Sequence, residues 1–330
     1  MNKIKNTLFS NKPVTIDENS LILALESSCD ETACAIVKGG REVLANVVAS
    51  QIKIHEEFGG VIPEIAAREH LEAVNIVVEE AFKQANVKPD DITAFAGTVG
   101  PGLVGCLLVG LNATKSLALA YDKPFIGVNH LIGHISANFI DTNLEPPFIA
   151  LLVSGGHTQI IDVKSYSELE IIGETIDDAV GEAYDKVARL IGLPYPGGPK
   201  LDKLAQLGNP HAFKLPEAKV EGYNFSFSGL KTAVLRLVKS FDGKEMPTND
   251  ICASFQECVS STLLKKVKKA LEEKQYKQVV LAGGVAANSE IVTQFWSTPD
   301  SFDSYKIYVD AEIVVYYKSY IDSIELIHNN

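Results

Sequence analysis

The chain has 330 residues, of which 46% are hydrophobic and 22% charged, with a formal net charge of −12. That length and composition support a sizeable core in one large or two medium domains, and the acidity works against general attraction to a nucleic-acid backbone, so any RNA contact must rest on local basic patches or on a partner. Five cysteines (Cys29, Cys34, Cys106, Cys252 and Cys258) form no CxxC pair and an odd total, which excludes a complete disulfide framework and a cysteine zinc knuckle and points to a reducing compartment.

Residues 1–20 carry Lys3, Lys5, Lys12, Asp17 and Glu18 without an apolar stretch, so they read as a flexible extension rather than a secretory signal, and the expected location is the cytoplasm. Leu21 to Glu26 is an apolar run that meets the polar turn Ser27 to Thr32 and resumes as Ala33 to Val37, a strand, turn, strand pattern. A helix is predicted over Pro63 to Gln84, then a strand over Thr93 to Thr98 that runs into Gly100-Pro101-Gly102. The apolar segment Leu103 to Ala120 is interrupted by Gly105, Gly110, Asn112 and Lys115, which predicts a buried helix and no membrane span. After it comes His130-Leu131-Ile132-Gly133-His134. Residues four apart share one helix face with Cβ atoms roughly 5–6 Å apart, so two imidazoles at this spacing can reach one cation. Taken alone, the spacing is equally that of ordinary core or surface histidines.

The first pattern then returns. Phe148 to Val153 runs into Ser154-Gly155-Gly156-His157-Thr158 and resumes as Gln159 to Val163; a helix is predicted over Ile176 to Ile191; Gln278 to Ala282 gives way to Gly283-Gly284 and Val285 to Asn288. This is an internal repeat, and it sets the expected domains at 21–140 and 141–330, the second ending in a divergent tail after about residue 290. Lacking Cβ atoms, Gly155 and Gly156 can take left-handed backbone angles and admit phosphate oxygens to the main chain, with Ser154 and Thr158 adding hydroxyl donors. A glycine pair is also the ordinary material of a plain hairpin turn. Lys231, Arg236 and Lys239 are a candidate basic patch, or simply a solvated helix face.

Several motifs together resemble those of the TsaD family: ESSCDETA at Glu26 to Ala33, GGVIPEIAAREH at Gly59 to His70, GPGLVG at Gly100 to Gly105, NHLIGH, LLVSGGHTQ, GEAYDK at Gly181 to Lys186, YPGGP at Tyr195 to Pro199, FSFSGLK at Phe225 to Lys231 and LAGGVAAN at Leu281 to Asn288. The resemblance implies a duplicated α/β fold of the actin, Hsp70 and sugar-kinase (ASKHA) kind, two lobes around a nucleotide-binding cleft. It implies transfer of a threonylcarbamoyl group from threonylcarbamoyl-AMP to the exocyclic amine of the adenosine beside the anticodon of tRNA. It places metal ligands on His130 and His134, with Fe2+ the expected ion and Zn2+ an alternative. Contacts to the threonylcarbamoyl-AMP or ATP-like nucleotide fall on Leu152, Val153, Ser154, Gly155, Gly156, Asp185, Gly198, Asp202 and Asn288. Asp30, Glu31 and Thr32, in the first hairpin turn, are candidates for orienting a water, a metal or the transferred group. The implied partners are tRNA, a paralogous non-catalytic ASKHA protein (TsaB-like) and a small ATPase (TsaE-like), with the helix over Ile65 to Gln84 as a docking surface through Ile65, Ala66, Leu71, Val74 and Val78, or as plain core.

One departure concerns the third metal ligand, an aspartate that the family supplies from a CTDNAAMI-like stretch near the C-terminus. That stretch does not follow LAGGVAAN here; Asp310, in Val309-Asp310-Ala311-Glu312, is the candidate replacement, or an exposed strand-end acid. A nucleotide-binding descendant with impaired catalysis therefore stands beside the transferase, and the two histidines four apart suggest a third reading, a metallopeptidase. The peptidase reading lacks a glutamate after the first histidine to act as general base, since Leu131, Ile132 and Gly133 occupy the intervening positions. A sugar or acetate kinase is conceivable from the fold alone, but fold does not fix function.

Overall fold

The computed structural model describes residues 2–4, 7–9, 17–140, 142–297 and 306–309. In chain order the strands and helices are β1 (Asn2–Ile4), β2 (Thr7–Phe9), β3 (Leu21–Glu26), β4 (Glu31–Lys38), β5 (Glu42–Ser50), α1 (Ile52–Glu56), α2 (Pro63–Ala85), β6 (Ala94–Gly100), α3 (Val104–Ala120), β7 (Phe125–Asn129) and α4 (His130–Ala137). The second half contributes β8 (Phe148–Val153), β9 (Thr158–Ser165), β10 (Glu168–Glu174), α5 (Val180–Leu190), α6 (Gly197–Ala205), α7 (Ser228–Lys239), α8 (Thr248–Lys274), β11 (Gln278–Ala282), α9 (Ser289–Ser297) and β12 (Lys306–Val309). Two compact units result, Ile4–Asn143 and Leu144–Asn330 with Met1–Lys3; we call them the N-terminal and C-terminal units.

The repeat read from the sequence is a repeat of topology. One sheet runs β5-β4-β3-β6-β7-β2 and the other β1-β10-β9-β8-β11-β12. In each, three consecutive strands, β3 to β5 or β8 to β10, form an antiparallel meander, and a later strand, β6 or β11, pairs parallel with its opening strand, β3 or β8. Every residue of β8 is buried, which explains its unbroken apolar run, because a central strand covered on both faces has no solvent side to alternate toward. In the N-terminal unit Leu23, Leu25, Cys34 and Ile36 of the hairpin pack with Val74 and Val77 of α2 and Phe95 of β6. In the C-terminal unit α8 lays Ile251, Phe255, Val259, Leu263 and Val267 along the same core as Ile149, Leu151 and Ile160.

The described part of residues 1–20 includes two strands, β1 at the edge beside β10 and β2 beside β7. Two expectations are corrected. The helix expected from Ile176 begins at Val180 instead. Asp177 is drawn away by a distant partner: its carboxylate accepts the Phe227 and Ser228 amides at 2.8 and 3.3 Å and the Ser226 and Ser228 hydroxyls at 2.5 and 2.7 Å, so it caps the N-terminus of α7. The apolar helix is one-sided rather than buried: Cys106, Leu107, Gly110 and Thr114 of α3 face inward, while Val104, Leu108 and Leu119 are exposed.

The fully buried Asp162 on β9 is matched by Lys274 in the last turn of α8, with Nζ 2.7 Å from Oδ2. Removing one partner of such a pair strands the other charge in a dry interior, at a typical cost of about 3–5 kcal/mol. Lys274→Met should lower the unfolding free energy read from urea titration by that order, and Asp162→Asn in the same background should recover part of the loss.

Candidate active site

The hairpin turn of the N-terminal unit is clamped between two helices. Ser27 Oγ donates to the Cys106 carbonyl at 2.9 Å and accepts the Gly110 amide at 3.1 Å, and the Leu103 amide donates to the Ser28 carbonyl at 2.8 Å. A Cβ on Gly110 would lie 2.3 Å from Ser27 Oγ, and one on Gly102 2.7 Å from Ser28, so α3 reaches the turn because those positions are glycine. From α2 comes the fully buried His70, with Nδ1 2.7 Å from Thr32 Oγ1 and Nε2 3.1 Å from the Cys29 carbonyl. A carbonyl only accepts, so Nε2 carries the proton and Nδ1 accepts from the Thr32 hydroxyl; burial pushes the His70 pKa down, which favours this neutral form.

At the end of β7, Asn129 caps α4 by accepting the Leu131 amide at 2.9 Å. The helix then presents His130 and His134 one turn apart, with Nε2 atoms 3.1 Å from each other and rings crossing at 75°. The other ring nitrogen of His130 lies 3.2 Å from Oε2 of Glu26 and 3.3 Å from Ser28 Oγ. Glu26 also accepts the Ser28 amide and the Thr98 hydroxyl, each at 2.5 Å. Burial pushes the Glu26 carboxyl up, but His130, Ser28 and Thr98 outweigh it and hold the pKa at about 2. Two Nε2 atoms at this separation suit two bonds of about 2.1 Å to one divalent ion. Among the described residues no three His, Cys, Asp or Glu side chains converge as a ligand set, and Asp310 lies outside the described residues. The donors present fit a metal as two imidazoles of a larger set.

In the C-terminal unit the turn after β8 closes on itself, the Ser154 amide donating to the His157 carbonyl at 2.8 Å and the His157 amide to Ser154 Oγ at 3.1 Å. Gly155 and Gly156 are exposed, with open space where a Cβ would stand, and neither takes a left-handed φ. The glycines that sterics demand are elsewhere. A Cβ on Gly181, at the start of α5, would lie 2.7 Å from Gly155 Cα, and one on Gly283, at φ 90°, 2.6 Å from the Val153 carbonyl. These contacts bring α5 and the loop after β11 against the turn. Beside it lies a cavity of about 170 Å³ whose wall includes Gly155, Tyr184, Asp185, Gly198, Asp202 and Asn288.

Asp202, 7% exposed, organises this wall. Its Oδ1 accepts Gln256 Nε2 at 2.8 Å, Asn288 Nδ2 at 3.2 Å and Ser289 Oγ at 2.6 Å. Asn288 Oδ1 accepts the Glu290 and Ile291 amides, both at 3.2 Å, and so caps α9. Asp185 accepts the Gly197 amide at 2.8 Å and caps α6; burial pushes its carboxyl up against the pull of the Gly197 and Gly198 amides.

Of the residues singled out from the sequence, the structure brings Gly155, Asp185, Gly198, Asp202 and Asn288 to one cavity wall and His130 to His134. Leu152 and Val153 are fully buried, so their side chains support the strand and cannot face that cavity. Asp30 lies in the clamped turn, where its carbonyl accepts the Gln51 amide at 2.9 Å, and Glu31 opens β4. The carboxylate that meets His130 is Glu26, which the sequence reading passed over because its partner is remote in the chain. Its one signal was a charged residue ending an otherwise apolar strand.

The TsaD family profile, described as tRNA N6-adenosine threonylcarbamoyltransferase, matches residues 42–309. The tRNA N6-adenosine threonylcarbamoyltransferase of Clostridium perfringens (strain SM101 / Type A) is 56% identical over 276 residues, 82% of this chain and 81% of that protein. Among solved structures, HypF of T. kodakarensis superposes with a TM-score of 0.62 at 14% identity, covering 90% of this chain and 46% of that one. ROK hexokinase from Thermus thermophilus does so with a TM-score of 0.50 at 15% identity, covering 88% and 92%. These two show a shared sugar-kinase-like fold, and the sequence match carries the assignment further: the chain belongs to the TsaD family.

Proposed function

We propose that the protein transfers the threonylcarbamoyl group of threonylcarbamoyl-AMP to N6 of the adenosine 3′ of the anticodon in tRNA. Membership of a family so described, over most of the chain, is the observation that carries this reading. In the reaction the adenosine amine attacks the carbamoyl carbon, the bond from that carbon to the phosphate oxygen breaks, AMP departs with the electron pair, and the amine loses a proton. AMP is a good leaving group, so the step needs no covalent Ser or Cys nucleophile; it needs orientation and stabilisation of developing oxyanion charge. The buried cysteines suit this economy, since burial pushes the Cys34 and Cys252 thiols up to about 12 and keeps them protonated.

His130 and His134 would hold a divalent cation through their Nε2 atoms, with Asp310 the proposed further ligand. Bound there, such an ion supplies Lewis-acid polarisation of a carbonyl or phosphoryl oxygen. Imidazole accepts both iron and zinc; we assign Fe2+ on the family resemblance. The C-terminal cavity would take the adenylate, with the exposed main chain of Gly155 and Gly156 free of side-chain obstruction toward phosphate oxygens. Asp185 and Asp202 would accept ribose or amine donors. Asp30 and Glu31 are assigned to orienting the transferred group.

We assign the exposed apolar side of the α2 and α3 pair to a paralogous ASKHA partner. Leu71, Val104 and Leu108 are all at least half exposed there, whereas Ala66 and Val74 belong to the core. A small ATPase completes the proposed assembly. No helix among the described residues is long and apolar enough to cross a membrane, and a tRNA substrate suits the cytoplasm. Lys231, Arg236 and Lys239 all lie on α7, but five residues of helix turn Lys231 roughly 140° from Arg236, so the three form no single basic stripe.

The direct test supplies the protein with unmodified tRNA, threonylcarbamoyl-AMP and the partner proteins of a working relative, with and without Fe2+ or Zn2+. Digestion of the tRNA and mass spectrometry then look for threonylcarbamoyladenosine. Product is expected, and His130→Ala and His134→Ala should each reduce it at least about 100-fold, the scale of losing a catalytic electrostatic contact; turnover unaffected by both would refute the metal assignment. No product beside an active control would mark a nucleotide-binding descendant. Asp202→Ala removes the acceptor shared by Gln256, Asn288 and Ser289. It should lower stability by about 2 kcal/mol and weaken binding of an adenylate analogue at least tenfold by calorimetry.

A further inference from the structure

We infer that Glu26 is a positioning residue: it holds the proton of His130 on Nδ1, so that the Nε2 lone pair is presented toward His134. This rests on the metal reading above only for its consequence. The inference itself concerns which nitrogen carries the proton.

A carboxylate accepts only, so at 3.2 Å from Oε2 the Nδ1 of His130 is the donor. The carboxylate has little freedom to leave. Its Oε1 accepts the Ser28 amide and its Oε2 the Thr98 hydroxyl, both at 2.5 Å, and both donors are fixed in turn. The Ser28 amide belongs to the turn that Gly102 and Gly110 clamp to α3, and Thr98, 7% exposed, sits near the end of β6. The acid, the two donors and the imidazole thus come from β3, its turn, β6 and the start of α4, four segments fixed by one sheet. Once Nδ1 donates, a neutral His130 has its lone pair on Nε2, and Nε2 is the atom found 3.1 Å from its counterpart on His134. A carboxylate behind one nitrogen of a metal-binding imidazole fixes the ring and raises the basicity of the other.

The fold would tolerate the acid for other reasons, as half of an ordinary ion pair with a doubly protonated His130. The two arrangements differ in what they predict. In the positioning arrangement the neutral ring of His130 carries its proton on Nδ1 alone; in the ion-pair arrangement both ring nitrogens carry one. An ion pair also offers no lone pair to a cation.

The primary test is nitrogen-15 NMR of the full-length protein labelled at histidine, without added metal, with His130→Gln to assign the resonance. At pH 8 His130 is expected as the Nδ1-protonated neutral tautomer. Glu26→Gln should shift the population toward the Nε2-protonated form, and Thr98→Val, a milder change that leaves the acid in place, should do so partially. A doubly protonated ring in the wild type, or a tautomer that Glu26→Gln leaves unchanged, overturns the inference. The second measurement is Zn2+ affinity by competition with a chromophoric chelator. Glu26→Gln should weaken it about 10–100-fold, and in a His130→Ala background the same substitution should change it less than twofold. An equal loss in both backgrounds means that Glu26 does not act through His130 and overturns its positioning role. A wild type that binds no Zn2+ yet shows the Nδ1 tautomer refutes the metal reading while supporting the inference.

Discussion

Both candidate sites depend on the approach of a helix or loop backbone to a hairpin turn, which leaves no room for a Cβ. It occurs twice. In the N-terminal unit Gly102 and Gly110 bring α3 against Ser27 and Ser28; in the C-terminal unit Gly181 and Gly283 bring α5 and the loop after β11 against Val153 to Gly155. The positions of the functional candidates follow from these contacts. Glu26 leaves β3 directly before the first turn, and Asp185 and Asn288 are carried by the two segments that the second pair of glycines admits. A methyl group at any of the four would have to displace main chain, or at Gly110 the Ser27 hydroxyl that two bonds hold in place.

A net charge of −12 suggests a uniformly acidic exterior, yet several carboxylates serve as internal acceptors. Glu26 binds a turn amide, a hydroxyl and an imidazole; Asp185 and Asp177 cap α6 and α7 from outside those helices; Asp202 gathers Gln256, Asn288 and Ser289; Asp162 faces Lys274 in the core. Each joins segments distant in sequence. Carboxylates that collect backbone and hydroxyl donors act as rigid joints, because moving one leaves several donors unmatched at once. Such joints suit a site whose work is to orient reactants, as the proposed acyl transfer requires.

Much of this was open to inspection in the sequence. The two hairpins were legible because polar turns between apolar runs are local patterns, and their recurrence predicted a duplicated topology that the two sheets display. The histidine pair was legible because helical spacing alone puts residues 130 and 134 on one face. Membership of the TsaD family was legible from motifs that extend over most of the chain. The remaining differences share one cause. Val180 opens α5 because Asp177 is claimed by amides about fifty residues further on; α3 shows one apolar side to solvent because its other side is taken by the hairpin; Glu26 matters because β7 delivers His130 to it from 104 residues away.

Nearest neighbours and periodicity suffice for the strands and turns, the helical pair of imidazoles, the duplicated order and the family. Which acid meets His130, which glycines are sterically obligatory, and the sharing of one wall by Asp185, Asp202 and Asn288 were settled by folding alone. Those facts depend on distances between atoms whose residues lie tens to more than a hundred positions apart, and such distances come into being only when the sheets form.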